Sequence, residues 1–249
     1  MELKGKNAIV TGGANGIGRS LVEILFREGV NVGVLDIDEA GLTKLQQELK
    51  GVYCKSCDVT DSKKAKEAVE EFCGRFKTID ILVNNAAMIY SAPLVSMAPG
   101  RINTHDIAMW DKVIATNLSS VFYMTVSVAE KMVLNRTKGV IVNMGSIGAA
   151  GNPGQSPYSA SKAAVSALTS VWAKELGPLG IRAVCIAPGF TKTETTLGAM
   201  KDTVLQEWIK KTPVRRLGEV NEIVDAIIFA IKNDLVNGKT LAIDGGLTL

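Results

Sequence analysis

The chain has 249 residues, 47% of them hydrophobic, with 24 Gly, 7 Pro and a formal net charge of +3. That length suits one large domain with a substantial core and is too short for two of ordinary size. The composition excludes a disordered, collagen-like or low-complexity chain. The 28 basic residues are scattered among 25 acidic ones, so no basic arm or stripe offers nucleic acid a footprint.

Four cysteines (Cys54, Cys57, Cys73, Cys185) and a strand-like NAIVTGG starting at Asn7 leave no room for a secretory leader. A reducing, cytoplasmic setting is expected. No uncharged apolar stretch approaches the roughly 20 residues that span a bilayer; even Ile223 to Ile231 carries Asp225.

In chain order, Asn7–Thr11, Asn31–Asp36, Gly51–Cys57, Asp80–Val83, Gly139–Met144, Ile181–Ala187 and Thr240–Ile243 read as strands, several apolar almost throughout. Such runs suit strands buried on both faces of a parallel sheet. Helical patterns lie between them. Leu21, Ile24 and Leu25 recur on one face of Arg19–Glu28 before Gly29; Tyr158–Leu176 ends at Gly177-Pro178; Val220–Lys232 is a third case. Strand–helix alternation along the whole chain predicts one doubly wound α/β domain of about seven strands, Rossmann-type, over residues 1–249.

The first strand runs into Thr11-Gly12-Gly13-Ala14-Asn15-Gly16-Ile17-Gly18, and a helix follows. A glycine turn at a helix N-terminus aims backbone N–H groups and the positive dipole end at a phosphate. Gly16 and Gly18 would let pyrophosphate and neighbouring backbone approach closely. Asp36 ends the second strand, 18 residues beyond Gly18. An acid there accepts hydrogen bonds from the adenosine ribose and repels a 2′-phosphate, favouring NAD(H) over NADP(H). The plainer alternative is a strand-end acid that caps the next helix. Arg19 is the one basic residue near enough to serve a phosphate instead.

Tyr158 and Lys162 stand at i, i+4 on a helix, which places both on one face. An ammonium beside a phenol favours phenolate, as an acid/base working near neutrality needs. Ser146, 12 residues upstream, is placed to meet the same substrate oxygen or simply to cap a turn.

These motifs, with Asn84-Asn85-Ala86-Ala87, Asn117 and Pro188-Gly189, occur in the order found in short-chain dehydrogenases/reductases, which the chain resembles from Lys4 to Leu249. The resemblance implies NAD(P)-dependent interconversion of an alcohol and a carbonyl. It implies Tyr158 as general acid/base, Lys162 lowering its pKa and binding the nicotinamide ribose, and Ser146 polarising the carbonyl. Asn117 is similar to the asparagine whose helix distortion supports a water relay. Turn and resemblance together give the expected cofactor contacts: Gly12, Asn15, Gly16, Ile17, Gly18, Asp36, Ile37, Asp58, Val59, Asn85, Ala86, Ala87, Tyr158, Lys162, Pro188, Gly189, Thr191 and Thr193. No metal site is expected.

Three departures stand out. Ala87 replaces the usual glycine, Gly145 the usual serine before Ser146, and the stretch from Met88 to Asp106 is longer than usual. That stretch either shapes the substrate mouth or is a surface excursion. Phe190, Met200, Leu205 and Trp208 lie in the segment 190–212 that forms the family's mobile lid, as lid or as the core of a small flap. Trp110 is expected to pack where the loop rejoins the long helix. Cys54 and Cys57 are read as thiols in an ordinary strand, His105 as a loop residue, and Lys63–Glu71 as a solvated helix face.

The leading reading is an NAD-favouring dehydrogenase or reductase of a secondary alcohol or ketone. Met88, Ile89, Tyr90, Ile147, Phe190, Met200 and Trp208 suggest a mainly hydrophobic substrate. The alternative is a 3-oxoacyl-thioester reductase of the fatty-acid type, with Lys131, Arg136 and Lys138 as a basic rim for a carrier protein, although Asp36 argues against the NADPH preference typical of such reductases. A non-catalytic nucleotide-binding regulator is disfavoured because Ser146, Tyr158 and Lys162 are all present. The resemblance further implies a homotetramer or homodimer.

Overall fold

A computed structural model of the chain describes residues 1–193, 196, 198 and 202–249. Its first half runs β1 (Asn7–Thr11), α1 (Gly16–Arg27), β2 (Asn31–Asp36), α2 (Glu39–Glu48), β3 (Tyr53–Ser56), α3 (Ser62–Phe76) and β4 (Ile81–Asn84). A hairpin of β5 (Val95–Ala98) and β6 (Arg101–Thr104) precedes α4 (Ile107–Ile114), a π-helical turn (Ala115–Ser119) and α5 (Ser120–Leu134). Then come β7 (Val140–Met144), α6 (Ser156–Leu176), β8 (Arg182–Pro188), α7 (Asp202–Lys211), α8 (Val220–Lys232) and β9 (Thr240–Ile243).

Seven strands form one parallel sheet in the order β3-β2-β1-β4-β7-β8-β9. Alternate residues of β1 face opposite ways: Ala8 and Val10 join the layer under α1 and α8, and Ile9 joins the layer under α3 and α5. Both faces are therefore buried, the doubly wound arrangement expected of apolar strands. Strand order reverses between β2-β1 and β4, and ligands of such sheets lie beyond the carboxyl ends of the strands at that switch.

The helices start where acids meet their free amides. Asp38 accepts from Gly41 N at 3.0 Å, Asp61 from Lys63 N at 2.9 Å, and Asp106 from Ala108 N at 2.8 Å. Below the switch point a buried polar chain crosses the core. Asn84 Nδ2 donates to Thr125 Oγ1 (3.0 Å) and Asn143 Oδ1 (2.8 Å), and Asn143 Nδ2 donates to Thr169 Oγ1 (2.9 Å). It ties β4 and β7 to α5 and α6 and fixes their register.

The long stretch after Met88 is not wholly irregular, as its sequence suggested. Val95↔Thr104 and Met97↔Ile102 pair across a Pro99-Gly100 turn in which Gly100 has φ +71°. His105, read as a loop residue, is buried: its amide donates to Leu94 O at 2.9 Å and its Nδ1 lies 3.0 Å from Ala92 O. It fastens the two ends of the hairpin together.

Candidate active site

The glycine turn after β1 folds against β4. Asn85 Nδ2 donates to Gly12 O at 2.7 Å and Thr11 O at 3.1 Å, and the amides of Asn85 and Ala86 both reach Thr11 Oγ1 at 3.1 Å. Gly12, at φ +64°, has no room for a Cβ, which would lie 2.8 Å from Ala86 Cα. A Cβ on Gly18 would lie 2.2 Å from Gly12 O. Gly18 thus serves backbone packing, not approach to a phosphate. Gly16 differs: at φ +57° it faces open space, and no side chain caps the α1 N-terminus. Those free amides meet the requirement for a pyrophosphate.

A cleft of about 430 Å³ runs from this turn along the sheet's carboxyl edge. Gly12, Asn15, Gly16, Ile17, Asp36, Ile37, Asp58, Val59, Asn85, Ala86, Ala87, Tyr158 and Thr193 all line it. Asp36 does not cap α2; Asp38 does. The Asp36 carboxylate instead accepts from Ala14 N at 2.9 Å and Asp38 N at 3.0 Å. Two amides hold it in place, and its remaining lone pairs are free for ribose hydroxyls. Arg19 is tied to Glu23 at 3.2 Å and to Glu48, away from any 2′-phosphate. The residues present fit a dinucleotide.

At the far end of the cleft, α6 presents Tyr158 and Lys162. Lys162 is buried, donates to Met144 O at 2.7 Å, and sits 5.8 Å from the Tyr158 ring centroid. Burial pulls its pKa down to about 8. The Tyr158 phenol is pushed up from its ordinary value by burial, opposed only by the Ser146 hydroxyl. This differs from the expectation that the lysine pulls the phenol toward neutrality. The ammonium is spent on a carbonyl, so the phenol keeps its proton and is set to act as an acid. Ser146 Oγ accepts from Gly148 N at 3.0 Å, so its single hydrogen can point to the Tyr158 oxygen or to a substrate oxygen.

Asn117 lies in the π-helical turn, fully buried, so the expected distortion is present. Its amide clamps the Met88 backbone: Met88 N donates to Oδ1 at 2.8 Å and Nδ2 donates to Met88 O at 2.9 Å. That clamp anchors the start of the long loop at the cleft.

A second cavity, about 390 Å³, opens on Ser146 and Tyr158. Ile89, Ile147, Phe190, Val204 and Leu249 form an apolar wall, and Ser91, Asn152 and Gln155 a polar one. The loop after Met88 therefore does both things considered for it. Its root lines the cavity, while the hairpin stands out with Met97 87% exposed. Phe190 stacks on Trp208, centroids 4.6 Å apart, so Trp208 backs the wall from behind. Tyr90 turns toward His105, Leu205 is not among the lining residues, and Met200 falls outside the described residues. Trp110 is part-exposed on α4. Ser91, Asn152, Gln155, Val204 and Leu249 were not singled out from sequence.

Several expected contacts lie elsewhere. Pro188 and Gly189 line the substrate cavity rather than the dinucleotide cleft. Thr191 is buried, bridged to Gly218 with Oγ1 on Gly189 O at 3.2 Å. Lys138 stands at the far end of β7 from Ser146. Lys138 precedes β7 and Ser146 follows it, and a five-residue strand is about 17 Å long. Cys54 and Cys57 pack into layers on opposite faces of the sheet and do not form a pair.

The sequence profile described as short chain dehydrogenase matches residues 6–203. The 3-oxoacyl-[acyl-carrier-protein] reductase of Thermotoga maritima is 37% identical over 256 aligned residues, covering 100% of both chains. The enzymes of the same name from Chlamydia trachomatis (35%, covering 98% of each chain) and Vibrio harveyi (33%, covering 99% of each) are similarly close. A cleft along the sheet's carboxyl edge that reaches Tyr158, with Lys162 buried behind it and Ser146 in the adjoining cavity, is the arrangement of an oxidoreductase. The chain belongs to the short-chain dehydrogenase family. These relatives favour the thioester-reductase alternative over a general secondary-alcohol dehydrogenase.

Proposed function

We propose that the protein reduces the 3-oxo group of an acyl thioester to a hydroxyl, with NADH preferred over NADPH. The observation that carries the reading is the substrate cavity: an apolar wall beside Ser146 and Tyr158, with no Lys or Arg among the described residues that line it. It suits an uncharged acyl chain better than a free acid, which would require a cation. The names of the full-length relatives support the substrate class, and the amide-held Asp36 with Arg19 tied away supports the cofactor preference.

A reduced dinucleotide held in the cleft would supply hydride chemistry for C3 of the substrate. Ser146 donates a hydrogen bond to the C3 oxygen, and Tyr158 Oη gives that oxygen its proton. The product is the 3-hydroxyacyl thioester and the oxidised dinucleotide. Lys162 supplies positive charge beside the phenolate left behind. Asn117 holds the Met88 backbone and so shapes the rim. Gly16 and the α1 amides would hold the pyrophosphate, and Asp36 the adenosine ribose. The hydride and proton come from separate groups, so the protein's work is positioning plus one proton.

Assembly follows from the exposed apolar residues of α5 and α6. Phe122, Val126 and Val171 face outward near a groove lined by Leu118, Ala164 and Leu168. This supports symmetric pairing of copies as a dimer or tetramer. Steady-state reduction of a 3-oxoacyl thioester with each cofactor tests the assignment. Turnover of simple ketones alone would leave the general carbonyl reductase reading in its place.

A further inference from the structure

The polar wall of the substrate cavity is a hydrogen-bonded chain of three neutral side chains. Asn152 Nδ2 donates to Gln155 Oε1 at 3.1 Å, and Gln155 Nε2 donates to Ser91 Oγ at 3.1 Å. Each link uses one hydrogen and fills one acceptor. What is left over includes three donors, a second N–H on Gln155, a second N–H on Asn152 and the Ser91 O–H, beside the Asn152 Oδ1 acceptor, none of them partnered among the described residues. All three residues line the same cavity as Ser146 and Tyr158. Spare N–H and O–H donors, with no cation among the described lining residues, suit a neutral acceptor oxygen better than a carboxylate, which would be left without its counter-charge.

Position brings the two groups to the same end of α6, on one cavity. Gln155 is the N-cap of α6, and Tyr158 lies three residues further on. Three residues of helix rise about 4.5 Å. The two oxygens of a 1,3-dicarbonyl are separated by no more than about 5 Å, given ordinary C–C and C=O bond lengths. One oxygen can sit at Tyr158 and Ser146 while the other meets Gln155.

We propose that Gln155, supported by Asn152 and Ser91, binds the thioester carbonyl oxygen of the substrate, so that the protein selects a 3-oxoacyl thioester by both of its oxygens. The proposal rests on the thioester-reductase reading and adds the residue that distinguishes a dicarbonyl from a simple ketone. Asn152 and Ser91 are positioning residues: they orient the Gln155 amide so that its Nε2, not its Oε1, faces Ser91 and the cavity. Asn152 is itself held, its amide donating to Ser159 Oγ at 3.3 Å.

The test compares wild type, Gln155→Leu and Gln155→Glu on two substrates: acetoacetyl-pantetheine, and a simple methyl ketone of equal length that lacks the thioester carbonyl. The readout is the ratio of kcat/KM for the thioester to kcat/KM for the ketone. The ratio is expected to fall about tenfold or more in Gln155→Leu, through KM, the scale of one lost hydrogen bond. It should fall at least as far in Gln155→Glu, where a carboxylate faces the carbonyl oxygen. Thermal unfolding of each variant shows that the fold is kept. A ratio unchanged in both variants overturns the proposal, as does an equal loss on both substrates, which would mark Gln155 as a support for α6. Failure of the underlying function is read separately, from wild type alone: no turnover of the thioester by the unsubstituted protein.

Discussion

Lys162 Nζ donates to the Met144 carbonyl at 2.7 Å, joining α6 to the last residue of β7 within 5.8 Å of the Tyr158 ring. The bond holds a buried cation at the base of the site while Tyr158 keeps its own proton. Acid chemistry at Tyr158 and charge at Lys162 are thus separable, and each has its own test.

Tyr158→Phe removes the proton donor and leaves the cleft walls in place. Carbonyl reduction should fall roughly 10²–10⁴-fold, the usual contribution of a general acid. Dinucleotide binding, followed by fluorescence titration, should change little. A variant that keeps wild-type turnover would show that another group delivers the proton.

Lys162 titrates near pH 8 in the folded protein, below the ordinary value of 10.5. Above that pH the folded chain has released a proton that the unfolded chain still binds, so its contribution to stability rises between pH 8 and 10.5 and is constant below. Replacing it by Met should therefore stabilise the fold at pH 7, by about 2 kcal/mol once the lost Met144 bond is counted, and the gain should shrink toward pH 10. Denaturant unfolding at the two pH values measures both. Reduction by wild type should fall as pH rises through about 8, when the ammonium loses its charge; a profile flat to pH 10 contradicts that role.

Asp36→Ala should cost NADH affinity roughly tenfold or more, the value of hydrogen bonds to a charged group, and should raise NADPH use by removing a repulsion. Arg19 is tied to Glu23 and Glu48 in wild type, so it is not held ready for a 2′-phosphate. An unchanged NADH-to-NADPH ratio would assign selectivity to other residues.

Gly16 and Gly18 should respond differently to alanine. At Gly18 the new Cβ would lie 2.2 Å from Gly12 O and 2.5 Å from Asn85 Nδ2, so the fold loses about 1–3 kcal/mol, as for overpacking, and the midpoint of unfolding drops. At Gly16 nothing lies within 4 Å. The loss there, beyond the strain of its positive φ, should appear as weaker dinucleotide binding.

Most of the fold was legible because its strands carry continuous apolar runs and its helices end at Gly or start at Asp. The hairpin was not. Val95, Met97 and Ile102 remain exposed, so β5 and β6 bury no face against the core and show no clean alternation; only Pro99-Gly100 hinted at a turn. The dinucleotide cleft was readable from glycine spacing and the strand-end Asp36. The polar wall was not: Ser91 and Gln155 stand 64 residues apart, and neutral side chains at that separation form no motif.

The central claim is tested most directly by mixing the protein with a 3-oxoacyl thioester and either NADH or NADPH, and following loss of dihydronicotinamide absorbance. Thioester-dependent oxidation of NADH, at least tenfold more efficient than that of NADPH, is the predicted result. No thioester turnover with either cofactor, while a secondary alcohol or simple ketone is converted, would contradict it.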